Sequence, residues 1–333
     1  MRIAFFGTKP YDEASFNKAN EAFGFECKYY KGHLNADSVV ATQKAQAACI
    51  FVNDTADAEV LRAMAENGTK LLALRCAGYN NVDLAAARQY GIRVVRVPAY
   101  SPYAVAEYTV ALMLSLNRKI PRASWRTRDG NFSLHGLMGF DMHGKTVGVI
   151  GTGKIARILI HILKGFGMEI LAYDVFPDTA YAASEGFRYV SLDELYQNAD
   201  IITLHCPLTP ETKYLINREA IDKMKPGVMI INTGRGQLIH TDELIEGLKD
   251  KKIGSAGLDV YEEEGDYFYE DKSDKIIDDD TLARLLSFPN VIITSHQAFF
   301  TREAMRNIAH TTLQNIRDYV EGKELVNEVK AME

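Results

Sequence analysis

Residues 149–156 read VIGTGKIA, and they place a glycine-rich turn directly after an apolar run and before a segment compatible with a helix. A second apolar run follows and ends in Asp174, close to the spacing of about 20 residues found in dinucleotide-binding βαβ units. In such a unit Gly151 permits the tight turn, and Gly153 lets the backbone and the helix N-terminus approach a pyrophosphate. Ala156 stands in the position of the third glycine, and Asp174 is expected to accept the hydroxyls of an adenosine ribose.

The composition is typical of a globular protein with two domains. The chain has 333 residues, of which 47% are hydrophobic and 25% charged, and this length exceeds that of one ordinary core. A formal net charge of −6 argues against a nucleic-acid-binding face. The N-terminus lacks the pattern of a signal peptide, and the longest apolar helix, over residues 104–116, is too short to span a bilayer. We therefore expect a cytoplasmic protein with no membrane contact.

The four cysteines show neither a CxxC motif nor the spacing of a metal site. Each lies in or beside an apolar run, at Cys27, Cys49, Cys76 and Cys206. Buried, reduced thiols in a reducing compartment are the expectation, and no metal site is predicted.

Apolar runs alternate with helical patterns along the whole chain, which is typical of parallel sheets covered by helices on both faces. We expect an α/β protein with two doubly wound domains, one of about five strands and one of about six. In the first domain the predicted strands are residues 3–6, 25–29, 49–52, 71–74 and 94–97. In the second they are residues 147–150, 170–173, 201–204, 229–231, 256–260 and 291–294.

The domain boundaries are predicted where this alternation is interrupted. The segment PAYSP precedes a long apolar helix over residues 104–117, and residues 301–320 form one amphipathic helix at the other end. The economical topology inserts a nucleotide-binding domain, residues 101–299, into a catalytic domain formed by residues 1–100 and 300–333. The helix over 104–117 is expected to be buried, either between the two domains or in a symmetric dimer.

Three candidate functional side chains lie where strands of the second domain are predicted to end. Arg235 lies between two glycines, Glu264 lies in an acidic loop, and His296 follows the last strand. Because ligands of open α/β sheets bind at the carboxyl ends of the strands, we expect the three side chains to meet there. They would supply a guanidinium for a carboxylate, an orienting carboxylate and an imidazole proton donor. Hydride transfer to a keto acid requires these groups.

Motifs along essentially the whole chain resemble those of the D-specific 2-hydroxyacid dehydrogenase family, and within it the bacterial fermentative D-lactate dehydrogenases. They are LRCAGYNNVD (74–83), VPAYSP (97–102), GTGKIA (151–156), LHCPLT (204–209), NTGRG (232–236), DVYEEE (259–264) and SHQAF (295–299). The resemblance implies a Rossmann NAD-binding domain inserted into a flavodoxin-like catalytic domain. It also implies the NAD-dependent reduction of pyruvate to D-lactate.

The resemblance further implies a role for individual residues. Arg235 is expected to bind the substrate carboxylate and polarise the C2 carbonyl, while Glu264 orients His296, which exchanges the proton on the substrate oxygen. The implied substrate-binding residues, with backbone N–H groups holding the carboxylate, are Arg75, Ala77, Gly78, Tyr100 and Phe299. The implied NAD-binding residues are Gly151, Gly153, Lys154, Ile155, Asp174, Cys206, Pro207, Thr233, Gly234 and Asp259.

Two features of the function stay open at this point. The substrate is pyruvate or a larger 2-keto acid such as phenylpyruvate or 2-ketoisocaproate, since the candidate pocket residues are mostly bulky aromatics but include the small Val52. These residues are Phe51, Val52, Tyr79, Tyr100, Phe299 and Phe300. A dinucleotide-sensing protein related to corepressors is the alternative of another class. A homodimer or homotetramer is expected in either case.

Overall fold

The chain folds into two units, one of which interrupts the other in sequence. The structure is a computed structural model that describes residues 1–330. One unit consists of Met1–Ser101 and the described residues from Phe300 onward, and the second is Pro102–Phe299. Residues 331–333, which the sequence analysis includes in the catalytic domain, lie outside the described residues.

The first unit is a parallel sheet flanked by helices. Its elements are β1 (Arg2–Phe5), α1 (Pro10–Asn20), β2 (Glu26–Tyr29), β3 (Ala47–Ile50), α2 (Ala58–Glu66), β4 (Leu71–Leu74), α3 (Leu84–Gln89), β5 (Arg93–Val95) and the C-terminal α12 (Arg302–Val320). The strand order β2-β1-β3-β4-β5 is that of the flavodoxin-like fold. β3 and β4 lie at the centre and are buried along their whole length, which explains their continuous apolar sequence.

The helix α12 completes this unit. The hydroxyl of Thr301 caps its N-terminus by accepting a hydrogen bond of 3.2 Å from a backbone N–H in the first turn. The predicted apolar face is buried at Ile308, Leu313 and Ile316. Val320, which the periodicity places on the same face, is 54% exposed because the helix ends there.

The second unit is also a parallel sheet. Its strands are β6 (Thr146–Ile150), β7 (Glu169–Tyr173), β8 (Arg188–Tyr189), β9 (Ile201–Leu204), β10 (Val228–Asn232), β11 (Ile253–Leu258) and β12 (Val291–Ile293). Its helices are α4 (Pro102–Arg118), α5 (Ile120–Arg128), α6 (Lys154–Gly165), α7 (Thr179–Glu185), α8 (Leu192–Asn198), α9 (Arg218–Lys223), α10 (Thr241–Lys249) and α11 (Asp280–Leu286). The order β12-β11-β10-β9-β6-β7-β8 is the Rossmann order extended by one strand. The predicted fold class, two doubly wound α/β domains, is thus confirmed.

The seventh strand was not predicted. β8 has two residues, which pair in parallel register with Leu171 and Ala172 of β7. Two residues show no alternation of apolar and polar side chains, so the sequence pattern predicts six strands in this sheet.

Helix α4 packs within its own unit, against α6, β10 and β11. Its Ala106 and Met113 are fully buried, and Leu112 and Leu116 lie against Gly257 of β11. Packing within the second unit therefore accounts for the burial of these four side chains. Within residues 1–330, neither α4 nor any other helix is long and apolar enough to cross a membrane.

Candidate active site

The glycine-rich turn joins β6 to α6 where the strand order reverses. β7 and β9 flank β6, and this reversal opens a crevice at the carboxyl ends of the strands. Gly151 has a φ of 89°, and a Cβ there would lie 2.6 Å from the backbone nitrogen of Cys206, so only glycine fits. Gly153 and Lys154 begin α6 and are exposed, whereas Ala156 packs in the core. The N-terminus of α6 is thus accessible to a pyrophosphate.

The carboxylate of Asp174 is held by this turn. Its Oδ2 accepts hydrogen bonds from the backbone N–H and the hydroxyl of Thr152 at 2.6 and 2.7 Å, and its Oδ1 accepts one from the N–H of Phe176 at 2.9 Å. Partial burial raises the pKa of Asp174, but the hydrogen bonds from Phe176 and Thr152 outweigh burial and bring the pKa below its usual value. Asp174 is therefore an ionised acceptor of fixed orientation, as recognition of a ribose requires.

The other predicted NAD-binding residues of this unit lie at neighbouring positions on the same edge of the sheet. Cys206 and Pro207 follow β9, Thr233 and Gly234 follow β10, and Ile155 is half-buried in the first turn of α6. Burial raises the pKa of the Cys206 thiol to about 11, so the thiol stays protonated at neutral pH. The end of β9 therefore presents an uncharged thiol at Cys206.

The side chains of His296 and Glu264 form a hydrogen-bonded pair. His296 Nδ1 lies 2.8 Å from Glu264 Oε1, and Glu264 Oε2 accepts a hydrogen bond of 3.1 Å from the N–H of Tyr261. The two side chains are 19% and 24% exposed, so they are shielded but still reach solvent. Because Nδ1 is engaged by the carboxylate, Nε2 is the ring nitrogen that remains for a substrate.

His296 has a left-handed backbone conformation, with a φ of 49°, which is unfavourable for a residue other than glycine. Its N–H donates to the carbonyl of Asp259 at 2.7 Å, and its carbonyl accepts a hydrogen bond of 3.1 Å from Tyr269 Oη. The Asp259 carboxylate holds the same turn, accepting hydrogen bonds of 2.6, 2.9 and 2.8 Å from Thr294 Oγ1, Gln297 N and Ala298 N. These contacts fix a backbone shape that His296 would not adopt by itself.

Asp259 therefore has a structural role that the sequence analysis missed. Burial raises the pKa of Asp259, although the hydrogen bonds from Thr294 and Ala298 oppose this. Both oxygens of the carboxylate are occupied within the turn that carries His296. The family resemblance implies a role for Asp259 in binding NAD, and no local pattern around Asp259 predicts contacts with residues 35 positions and more away.

Arg235 follows β10 in a turn that contacts the segment carrying Glu264. Its Nη1 donates to the carbonyl of Gly234 at 2.8 Å, and its own carbonyl accepts a hydrogen bond of 2.8 Å from the buried Asn232. A Cβ on Gly236 would lie 2.1 Å from the carbonyl carbon of Tyr261, so glycine is required for this close approach. The N–H of Tyr261 donates to Glu264, and Tyr261 also contacts the turn of Arg235. This turn and the His296–Glu264 pair therefore lie side by side at the same edge of the sheet.

The predicted substrate-binding residues Ala77 and Gly78 follow β4 in the first unit. The carbonyl of Ala77 accepts a hydrogen bond of 2.8 Å from Arg96 Nη1, a residue that the sequence analysis did not single out. Arg75 fits its predicted role least, because its guanidinium is buried, donates to the carbonyl of Gly7 at 3.0 Å and lies 3.6 Å from Asp12.

Three of the aromatic residues considered for the substrate pocket have partners within the first unit. Phe51 lies with its ring centre 5.1 Å from the guanidinium carbon of Arg75, and Phe300 stacks edge-on against Tyr11 at 4.7 Å. The carbonyl of Tyr100 accepts a hydrogen bond of 2.6 Å from the side chain of Asn307. Phe299, in the second unit, is half-buried.

His205, which directly precedes Cys206, makes a contribution to stability that can be tested. Its ring lies 2.8 Å from Thr203 Oγ1, and burial lowers its pKa to about 4 because the charged imidazole loses hydration. Below about pH 6.5 the unfolded chain binds a proton that the folded chain does not, so the free energy of unfolding falls as pH drops towards 4. We expect this fall to be smaller in His205→Gln, by about 1 kcal/mol per pH unit.

Urea unfolding of both proteins at pH 7.5, 6 and 5 measures the difference. His161→Gln is the control, because the side chain of His161 is 80% exposed. Equal slopes for the wild type and His205→Gln would contradict the assignment of His205 as a neutral imidazole.

Comparison with known proteins identifies relatives over the whole chain. A family model described as D-isomer specific 2-hydroxyacid dehydrogenase, NAD binding domain, matches residues 110–298. The D-lactate dehydrogenase of Escherichia coli K12 is 51% identical over 329 residues, covering 99% of this chain and 100% of that protein. A 2-hydroxyacid dehydrogenase homolog of Zymomonas mobilis is 52% identical over 326 residues, covering 98% of each chain.

Solved structures give the same result. The apo-structure of the Escherichia coli D-lactate dehydrogenase has a TM-score of 0.90 at 49% identity, with 99% of this chain and 100% of that chain covered. A D-lactate dehydrogenase from Lactobacillus jensenii solved with NAD⁺ has a TM-score of 0.83 at 31% identity, with the same coverage. The predicted cofactor, NAD, and the predicted oxidoreductase class are thereby confirmed. The chain belongs to the D-isomer specific 2-hydroxyacid dehydrogenase family.

Proposed function

We propose that this chain is an NAD-dependent D-lactate dehydrogenase that reduces pyruvate to D-lactate. The observation that carries the proposal is the 2.8 Å hydrogen bond between His296 and Glu264. This hydrogen bond fixes the orientation of a proton donor at the edge of a sheet of the NAD-binding type. The relatives named D-lactate dehydrogenase support pyruvate as the keto acid.

The residues at the glycine-rich turn fit NAD. Gly151 leaves no room for a side chain, the exposed start of α6 suits a pyrophosphate, and the ionised Asp174 suits an adenosine ribose. When bound, NADH supplies the hydride that adds to C2 of the keto acid. Binding, orientation and the proton are left to the residues of the chain.

The proton is assigned to Nε2 of His296. Glu264 accepts the hydrogen on Nδ1, and Tyr261 N–H fixes the position of Glu264. The imidazolium then donates from Nε2 to the C2 oxygen as negative charge develops on that oxygen. In the oxidation of lactate the neutral imidazole accepts the proton, so the two directions require opposite protonation states of one side chain.

The substrate carboxylate is assigned to Arg235, whose planar guanidinium suits bidentate binding, and to the backbone N–H groups of Ala77 and Gly78. Tyr100 and Phe299 are proposed to line the substrate. For Arg75 the buried contacts with Gly7 and Asp12 favour support of the first unit over direct binding.

Larger 2-keto acids are the second candidate substrates. Val52 favours them, because its small side chain is half-buried beside Phe51, which is itself engaged with Arg75. A panel of pyruvate, 2-ketoisocaproate and phenylpyruvate compared by kcat/KM distinguishes the two candidates.

The proposed reaction is tested with the purified chain, NADH and pyruvate. Loss of NADH absorbance that depends on pyruvate, with D-lactate and not L-lactate as product, is the expected result. Absence of turnover with every 2-keto acid of the panel would overturn the proposal and favour a dinucleotide-sensing protein.

The cofactor preference is expected to be NADH over NADPH. Asp174 would repel a 2′-phosphate, and the exposed Val175 and Phe176 beside it offer no positive charge in compensation. Asp174→Ala is expected to reduce the preference, because it weakens NADH binding more than NADPH binding. The ratio of kcat/KM for the two cofactors measures this, with Asp193→Ala on α8 as a control. Equal use of both cofactors by the wild type would contradict the prediction.

A homo-oligomer, dimer or tetramer, is also proposed, and the cytoplasm is the proposed location. The support for self-association is a patch of exposed apolar side chains on α5 and the segment after it, at Trp125, Phe132, Leu134 and Met138. Light scattering distinguishes such an assembly from a monomer of 37.2 kDa.

A further inference from the structure

The carbonyl groups that follow β4 are occupied one after another by groups from within the first unit. The carbonyl of Cys76 accepts a hydrogen bond of 3.1 Å from the N–H of Val97. The carbonyl of Ala77 accepts one of 2.8 Å from Arg96 Nη1, and that of Gly78 accepts one of 3.3 Å from the thiol of Cys76. Three consecutive peptide units are therefore anchored by their oxygen atoms.

Anchoring a carbonyl also orients the N–H of the same peptide unit. In a trans peptide the C=O and N–H bonds point in opposite directions. The N–H groups of Ala77, Gly78 and Tyr79 thus point away from the three anchoring groups, and none of them donates a hydrogen bond within residues 1–330. Consecutive backbone N–H groups left open in a loop can form a binding site for an anion.

Arg96 is itself held firmly. Its backbone N–H donates to the carbonyl of Asn327 at 3.1 Å, and its carbonyl accepts a hydrogen bond of 2.9 Å from the side chain of Asn315 on α12. Asn315 is buried and is bound in turn by the side chain of Asn327 at 2.8 Å. The guanidinium carbon lies 5.2 Å from the centre of the Tyr79 ring, so the charged end has a second contact with the same loop.

We infer that Arg96, assisted by Cys76, is a positioning residue that fixes the peptide units of residues 76–79 so that their N–H groups bind the carboxylate of a 2-keto acid. The inference rests on the proposed function and extends it to residues that do not touch the substrate. The guanidinium also withdraws electron density from the Ala77 carbonyl, which makes the N–H of Gly78 a stronger donor. Through Asn315, helix α12 takes part in shaping the loop.

The test compares Arg96→Met with Arg93→Met. Arg93 begins β5, the strand that ends directly before Arg96, and it binds Glu328. Its removal therefore also loosens the C-terminal segment but leaves the carbonyl of Ala77 anchored. We expect Arg96→Met to raise the KM for pyruvate by roughly 10-fold or more, the scale of a lost hydrogen bond to a charged group, with little change in the KM for NADH. Arg93→Met is expected to leave both KM values close to those of the wild type.

A second readout separates carboxylate binding from general damage to the fold. Methyl pyruvate lacks the carboxylate, so the preference for pyruvate over methyl pyruvate should fall in Arg96→Met. A less stable protein would lose activity on both substrates equally. Arg96→Lys, which keeps a donor, should recover part of the preference.

The hydrogen bond from the thiol of Cys76 to the carbonyl of Gly78 provides an independent test. Cys76→Ser keeps a donor for the carbonyl of Gly78 and is expected to behave like the wild type, whereas Cys76→Ala should raise the KM for pyruvate. If Arg96→Met does not fold, this pair decides the question. Unchanged KM and preference in both Arg96→Met and Cys76→Ala, with a wild type that reduces pyruvate, would overturn the inference. A wild type that reduces no 2-keto acid would overturn the proposed function instead.

Discussion

Replacement of His296 by alanine is expected to lower kcat for pyruvate reduction by about 10²–10⁴-fold, the usual contribution of a general acid. The imidazole is held at 2.8 Å by Glu264, and the backbone N–H of His296 donates to the carbonyl of Asp259, so alanine removes a proton donor of fixed position. The KM for NADH should change little. Steady-state kinetics at saturating NADH measures the loss, and His161→Ala on the surface of α6 is the matched control.

Glu264→Gln tests whether the two side chains act as a pair. The amide keeps most of the shape but accepts a weaker hydrogen bond from Nδ1 than the carboxylate does. We therefore expect kcat for pyruvate reduction to fall in Glu264→Gln, while the KM for NADH changes little. An unchanged kcat in Glu264→Gln would mean that Glu264 is not the functional partner of His296.

Arg235→Lys is expected to lower kcat/KM for pyruvate by on the order of 10²-fold although the charge is kept. A lysine ammonium is a point charge and cannot form two parallel hydrogen bonds with a carboxylate. The turn of Arg235 cannot shift to bring the lysine closer to the carboxylate, because Gly236 packs directly against the backbone of Tyr261.

The matched control is Arg218→Lys, an exposed arginine of the same unit that pairs with Asp222 and Asp250. Inhibition by oxamate, which carries the same carboxylate, should weaken in parallel with the rise in KM for pyruvate. Activity of Arg235→Lys close to that of the wild type would mean that Arg235 does not bind the substrate.

The parts of the fold that could be predicted from the sequence are those set by local pattern. Apolar runs of four or five residues identify the buried strands, and the glycine-rich turn with Asp174 identifies the βαβ unit. The positions of Arg235, Glu264 and His296 after such runs place them at one edge of the sheet. That inference needs only the rule that parallel strands end at the same edge.

The parts that could not be predicted depend on contacts between distant segments. Arg96 and Ala77 are joined by one hydrogen bond across two strands, and Asp259 binds the turn of His296 across 35 residues and more. Neither contact leaves a period or a motif in the sequence. β8 escapes prediction for a different reason, since two residues are too few to show the alternation of a strand.

The backbone of His296 has a consequence for the balance between activity and robustness. A non-glycine residue in the left-handed region costs the folded state on the order of 1 kcal/mol, and the hydrogen bonds to Asp259 and Tyr269 offset that cost. Glycine would relieve the conformational cost but would remove the imidazole. At this one position the demands of folding and of chemistry oppose each other, so substitutions that make the protein more tolerant of heat are expected to arise elsewhere in the chain.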